Sequence, residues 1–303
     1  MPRKIQTSYT KSPTKTITVI GDSHTYNTSL GVPAHKFYPA RLQALLNARG
    51  ASVKCRNFGI SGNTTSDMIG RKACLDSVDV PDLVIMYAGP NDTSSRGSSL
   101  VVASPSPTTT TASVTAAQGA YFAVGSYVTI NSQTVRITAR STDALTWTPA
   151  LSGAPSTGDT VQVATTSNLT ALGNYVIAAQ VAAGKTPRLV IPLQHYLNFA
   201  SGGDTVGTPY APYVTLRAQQ QAAVTALDGV SGAEVIAVSF WQHMANLITN
   251  ATPVNGVTYT QGDFAWHVLT GNIHLNAAGE SILADALDAA IAAETGWLDA
   301  LTG

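Results

Sequence analysis

An alternation of strand-like and helix-like segments constrains the fold of this chain most strongly. The first strand is predicted at 17–20, where four β-branched residues precede Gly21. Leucines at helical spacing then lie between this run and two further apolar runs. The same alternation returns later as a helix from 168 to 183, a strand at 188–194, a helix at 214–227, a strand at 234–240 and a final helix after Asn276. This order predicts an α/β domain, a parallel sheet with helices on both faces.

The segment 98–165 interrupts this pattern. It contains no lysine and only four charged residues, and it is rich in Thr, Ser and Val. We predict a low-complexity linker from about 98 to 111. Alternating strand-like pieces follow, separated by turn residues, at 127–130, 134–137, 144–147 and 160–163. The predicted organisation is a polar N-terminal arm (1–15), an α/β domain (16–97 and 166–303) and an inserted antiparallel β module (98–165).

Composition argues against several classes of partner. Lys plus Arg equals Asp plus Glu at 17 each, so there is no cationic excess for nucleic acid. No apolar run approaches the ~20 residues that span a bilayer, and no apolar segment follows the basic N-terminus, so neither a membrane partner nor a secretory signal is expected. The cellular compartment stays open. The pair Arg71 and Lys72 is interpreted as a solvated helix face.

Four polar or glycine-containing turns follow the predicted strands or precede the last helix. They carry Ser23, Gly62, Asn91 and His274. Each has an ordinary structural interpretation, as a helix cap, a turn residue or a surface histidine. The carboxyl ends of parallel strands meet at one sheet edge, so four such turns in order favour a catalytic site there.

In that order, with the flanks Gly21-Asp22-Ser23, Gly89-Pro90-Asn91-Asp92 and His274-Leu275-Asn276, the chain resembles the SGNH (GDSL-type) hydrolase family over 16–95 and 167–295. The resemblance implies a flavodoxin-like three-layer α/β fold and an enzyme without a cofactor. It assigns Ser23 as nucleophile and His274 as general base. The oxyanion hole would consist of the Ser23 and Gly62 backbone N–H groups and the Asn91 amide.

One position departs from the family pattern. The family usually has an acid three residues before its histidine, and this chain has Gly271 there. We therefore favour a Ser-His dyad, with Asp263 as the alternative third member. Activity is expected to fall between about pH 8 and 5 as His274 becomes protonated.

Other residues at this sheet edge are candidates for lining a substrate cleft: His24, Asp92, His195 and Trp241. His267 precedes His274 by seven residues, which is not a tight ligand spacing, so no metal is expected.

These features predict a serine esterase acting on a small ester, with carbohydrate O-acetyl groups favoured by the family resemblance. Through the stretches 151–155 and 158–161, the inserted module is similar to small β modules of phage tail and baseplate proteins. The alternative is therefore a catalytically weak or inactive structural or glycan-binding virion component built on the hydrolase frame. The other interpretation of the inserted segment is a decorated loop that shapes the substrate cleft. Expected partners are a small ester or acetylated glycan, and a virion or homo-oligomeric assembly.

Overall fold

The computed structural model describes residues 14–26, 33–93, 98–102, 106–194, 211–249 and 274–302. They form a five-stranded parallel sheet and, separately, a closed antiparallel barrel. The sheet contains β1 (Lys15–Gly21), β2 (Val53–Gly59), β3 (Leu83–Tyr87), β10 (Arg188–Pro192) and β11 (Glu234–Val238). The barrel contains β4 (Ser98–Val102), β5 (Thr111–Val114), β6 (Tyr127–Ile130), β7 (Gln133–Ser141), β8 (Ala144–Thr148) and β9 (Thr160–Val163). The predicted parallel α/β domain is confirmed.

The parallel sheet has the strand order β2-β1-β3-β10-β11. The three central strands β1, β3 and β10 are buried on both faces, as expected for apolar runs in a parallel sheet, whereas the edge strands β2 and β11 are partly exposed. Ile17 and Val19 of β1 join the core on one face, whereas Ile20 joins the core on the other. This alternation places helices on both sides.

Seven helices surround the sheet in the described part of the chain: α1 (Tyr38–Ala48), α2 (Thr65–Gly70), α3 (Thr165–Ala182), α4 (Ala211–Asp228), α5 (Phe240–Thr249), α6 (Ala277–Ala293) and α7 (Trp297–Thr302). The core on one face includes α1, α5, α6 and α7, and the core on the other includes α2, α3 and α4. As predicted, Asn276 caps α6, because its Oδ1 accepts from the backbone N of Ala278 and Gly279 at 2.9 and 3.0 Å. No helix of these described segments is long and apolar enough to cross a membrane.

The barrel has its own apolar core, which includes Phe122 and Trp147. The prediction of a linker over 98–111 was wrong at both ends, because β4 and β5 are barrel strands. They pair with each other, and with β9 and β8 respectively. A Ser- and Thr-rich segment becomes a strand when neighbouring strands supply its hydrogen-bond partners, and those partners are distant in sequence.

The barrel contacts the α/β domain through polar side chains. Asn168 lies in the first turns of α3 and was interpreted as a helix start, but α3 begins at Thr165. Its side chain instead pairs with the backbone of Tyr127 in β6, accepting from N at 2.7 Å and donating to O at 3.0 Å. Ser66 of α2 donates to Ser126 Oγ at 2.8 Å and accepts from the backbone N of Ala123 at 2.8 Å. These two contacts hold the barrel against α2 and α3 of the α/β domain.

Candidate active site

Ser23 and His274 lie together although 251 residues separate them. Ser23 follows β1 in a tight turn, in which the backbone N atoms of Thr25 and Tyr26 donate to the carbonyl of Asp22 at 3.1 and 2.9 Å. His274 lies two residues before Asn276, the cap of α6. The distance from His274 Nε2 to Ser23 Oγ is 2.7 Å, within hydrogen-bonding range. The pair has the geometry of a nucleophile beside a general base.

A second histidine packs against this pair. His24 Nδ1 and Asp22 Oδ1 are 2.9 Å apart, and the same oxygen accepts from the His24 backbone N at 2.9 Å. Both side chains are buried. The His24 ring packs near the rings of His274 and Tyr87, with centroid distances of 5.1 and 5.7 Å. His24 is therefore part of the support around His274.

This environment lowers the pKa of His274 from its usual value to about 4. Burial of the ring is the main cause, and the charge of His24 adds to it, while the Asp22 carboxylate acts in the opposite direction. At neutral pH the imidazole is unprotonated and able to accept the Ser23 proton. Activity was predicted to fall between about pH 8 and 5 because His274 would become protonated in that range. Since the pKa of His274 is about 4, the loss is now expected at lower pH.

Gly271 and Asp263, the two positions that bear on the third triad member, lie outside the described residues. The preference for a dyad stays a prediction. Asp22 is a carboxylate close to His274 in the described structure, and its nearest partner there is His24.

The turns that carry Gly62 and Asn91 are joined to the Ser23 turn by hydrogen bonds. Ile60 N donates to the carbonyl of Gly21 at 3.1 Å, and Asn91 Nδ2 donates to the carbonyl of Asn63 at 3.0 Å. Gly62 has φ = +76°, a left-handed conformation that favours glycine. The three predicted oxyanion donors therefore lie on turns that are connected to one another.

Arg71 is the basic residue that sequence reasoning misjudged. It is half-buried, and its guanidinium donates from Nε to Asn63 Oδ1 at 2.7 Å, from Nη1 to the carbonyl of Phe58 at 2.7 Å and from Nη2 to that of Gly21 at 3.0 Å. Burial lowers the pKa of Arg71, and nearby charges oppose this. Its neighbour Lys72 lies 5.0 Å from the centre of the Tyr175 ring. The prediction of a solvated face is therefore wrong for Arg71.

Two of the candidate cleft-lining residues have almost no exposed surface. His24 is 2% exposed and Asp92 is 1% exposed. Asp92 accepts hydrogen bonds from Thr65 and Thr165, and His24 is engaged by Asp22, so neither presents its side chain to a substrate here. His195 and the metal candidate His267 lie outside the described residues, as does the side chain of Trp241.

Comparison with known families agrees with this geometry. The model of the GDSL-like lipase/acylhydrolase family matches residues 19–282, which is most of the chain. The chain belongs to this family. The match spans both parts of the α/β domain, including Ser23, Gly62, Asn91 and His274. No curated protein matches this GDSL-like hydrolase in sequence.

Solved structures of similar fold include two bacterial enzymes. An acetylxylan esterase from Geobacillus stearothermophilus is 14% identical, with a TM-score of 0.51 over 93% of this chain and 95% of that one. A lipase/acylhydrolase from Enterococcus faecalis is 13% identical, with a TM-score of 0.47 over 91% and 95%. At 14% identity the likeness to the acetylxylan esterase concerns the fold of this GDSL-like hydrolase alone. The similarity of the barrel to phage tail modules stays a prediction.

Proposed function

We propose that this protein is a serine esterase that hydrolyses small esters, with O-acetyl groups on carbohydrates as the favoured substrates. The observation that carries the proposal is the 2.7 Å distance between Ser23 Oγ and His274 Nε2. Membership of the GDSL-like family supports hydrolysis of a carboxylic ester. The low pKa of His274 supports its role as a base that is unprotonated at neutral pH.

In the proposed reaction Ser23 Oγ attacks the ester carbonyl while His274 Nε2 takes its proton. The tetrahedral intermediate carries a negative oxygen, which the Ser23 and Gly62 N–H groups and the Asn91 amide would stabilise. The C–O bond to the alcohol then breaks, and His274 returns the proton to the departing alcohol. Water, deprotonated by His274, attacks the acyl-enzyme and releases the carboxylic acid and free Ser23.

The strand order supports placing this chemistry in a flavodoxin-like frame. In the order β2-β1-β3-β10-β11 the chain reverses direction across the sheet between β1 and β3. Ligands of open α/β sheets bind at the carboxyl ends of the strands at such a switch point. Ser23 follows β1 and Asn91 follows β3, so both proposed residues lie at this position.

Exposed apolar side chains beside the site support a compact organic alcohol, such as a sugar ring. Tyr26 is 42% exposed and Ile60 is 45% exposed, and they lie in the turns that carry Ser23 and Gly62. An exposed aromatic ring offers an apolar face together with a polar hydroxyl. The shared fold of the acetylxylan esterase makes acetylated xylo-oligosaccharides a reasonable first substrate.

Hydrolysis of p-nitrophenyl acetate by the wild type and Ser23→Ala tests the proposal. We expect a loss of about 10³-fold or more in kcat, because the acyl-enzyme cannot form. Ser77→Ala is a matched control, since the Ser77 hydroxyl bonds only to the nearby carbonyl of Cys74 in the described structure. Release of acetate from acetylated xylo-oligosaccharides, compared with p-nitrophenyl octanoate, tests the substrate class. Full activity in Ser23→Ala would refute the assignment.

A further inference from the structure

We propose that Arg71 is a positioning residue that holds the oxyanion hole in place. The inference rests on the proposed function, since it concerns how the Ser23, Gly62 and Asn91 donors are oriented. In this role the Arg71 guanidinium supports the turns that carry the donors, and it does not itself contact the substrate.

The first observation is that each of the three guanidinium nitrogens of Arg71 donates to a different segment of the site. Nη2 bonds the carbonyl of Gly21, two residues before Ser23, at 3.0 Å. Nη1 bonds the carbonyl of Phe58, at the end of β2, at 2.7 Å. Nε bonds Oδ1 of Asn63, the residue after Gly62, at 2.7 Å. One planar group therefore fixes the spacing between the Ser23 turn and the Gly62 turn.

The second observation extends this control to Asn91. The backbone carbonyl of Asn63 accepts from Asn91 Nδ2 at 3.0 Å. Asn63 is thus held by Arg71 through its side chain, and it orients Asn91 through its backbone. Movement of Asn63 would displace two of the three proposed donors at once.

The third observation concerns the rigidity of this contact. Arg71 is the cap residue between α2 and a short 3-10 turn, and α2 starts with a capping box in which Thr64 and Asp67 bond each other. The guanidinium therefore belongs to a residue that is held between two helical segments, the first of which has a defined start. Donors that must act on a transient oxyanion need such fixed support, because a displacement of about 1 Å can cost about 10²-fold in rate.

The test compares Arg71→Met, Arg71→Lys and Lys72→Met in p-nitrophenyl acetate hydrolysis. We expect kcat of Arg71→Met to fall about 10²-fold, with KM within about threefold, because the donors act mainly in the transition state. This approaches the loss of about 10²- to 10³-fold in kcat that is expected for Asn91→Ala, which removes one donor outright. Arg71→Lys should recover only part of kcat, since an ammonium cannot bond all three acceptors in the same plane. Lys72→Met should retain kcat, because the Lys72 side chain lies over the Tyr175 ring and has no role in the proposed site.

Two further measurements separate positioning from a merely structural role. Guanidinium at low millimolar concentration should restore part of the kcat of Arg71→Ala, whereas ammonium at the same ionic strength should not. If Arg71→Met fails to fold, Asn63→Ala removes the acceptor of Nε while leaving the cation, and we expect a loss in kcat of about tenfold.

A folded Arg71→Met with wild-type kcat would overturn the inference while leaving the proposed function intact. A loss confined to KM, or an equal loss in Lys72→Met, would do the same. A wild type without Ser23-dependent hydrolysis would instead overturn the proposed function, and this inference with it.

Discussion

At the scale of single residues, His274 is placed where its charged form is disfavoured. The ring is half-buried, and it packs at 5.1 Å from the His24 ring, which is paired with Asp22. Burial removes the water that would stabilise an imidazolium, so the pKa falls to about 4. The cost of this arrangement is a weaker base, and the gain is a base that stays unprotonated in mild acid.

We therefore predict that kcat/KM for an uncharged acetate ester stays nearly constant from pH 8 to about 5 and is halved near pH 4. The sign follows from the chemistry, because protonated His274 cannot accept the Ser23 proton, so activity is lost as pH falls through the pKa. In His24→Gln the half-loss should move to higher pH, since one cause of the lowered pKa is removed. Initial rates from pH 3 to 8, corrected with Ser23→Ala, measure both. A wild-type half-loss between pH 6 and 7 would contradict the role of burial.

At the scale of secondary-structure elements, Asp92 joins the starts of two helices to the turn after β3. Its Oδ1 accepts from the backbone N of Thr65, the first residue of α2, at 2.8 Å. Its Oδ2 accepts from the hydroxyls of Thr65 and of Thr165, the first residue of α3, at 2.7 and 2.8 Å. Burial raises the pKa of Asp92 to about 6 despite these donors. Asp92, the residue after Asn91, thus links the proposed oxyanion turn to the start of α3, where the chain leaves the barrel.

We predict that Asp92→Ala lowers the free energy of unfolding by about 1–3 kcal/mol, because the Thr65 N–H loses its buried acceptor. Asp92→Asn should lose less, since its oxygen still accepts from Thr65 N and the hydroxyls can rotate to accept from its amide. Urea unfolding at pH 7 measures both variants. An Asp92→Ala protein as stable as the wild type would show that other groups satisfy these donors.

At the scale of the whole molecule, the barrel docks through polar contacts with two helices of the α/β domain. Asn168 is fully buried. Its side-chain amide accepts from the backbone N of Tyr127 and donates to the backbone O of the same residue, as the backbone of a neighbouring strand would. Ser66 and Ser126 form a second contact beside it. These hydrogen bonds join the barrel to the α/β domain at this junction, while the apolar core of the barrel is its own.

We predict that Asn168→Ala lowers the free energy of unfolding by about 1–3 kcal/mol, because the part-buried backbone N–H of Tyr127 loses its acceptor, while the Tyr127 carbonyl keeps only the bond from the backbone N of Ala164 in the described structure. Esterase activity at 25 °C should remain within about threefold of the wild type, since the change lies away from Ser23. Asn246→Ala, which removes only an exposed bond to Gln242 in α5, is the matched control and should change stability by less than about 0.5 kcal/mol. Equal stability of the two variants would contradict the docking role of Asn168.

Sequence by itself determined most elements of the α/β domain and the turns that carry its chemistry, but it missed α5 and α7. Apolar period and capping residues are local signals, so β1, β3 and the Asn276 cap of α6 could be predicted from a few neighbouring residues each. The parallel arrangement then implied that the turns after the strands, including the Ser23 turn, meet at one edge. The pairing of Ser23 with His274 came from the resemblance to the SGNH (GDSL-type) family, since His274 precedes a helix rather than following a strand.

Tertiary structure decided what depends on partners that are distant in the chain. β4 and β5 are strands because β8 and β9 complete their ladders, and their Ser- and Thr-rich sequences do not signal this alone. Arg71 is half-buried with its guanidinium bonded to acceptors on three segments, and His24 is buried beside Asp22, because the folded chain supplies their partners and their burial. The burial of a side chain, its hydrogen bonds and the pKa of His274 depend on all the groups that surround them in the folded chain. Most of those groups are distant in sequence, so no short stretch of sequence predicts these properties.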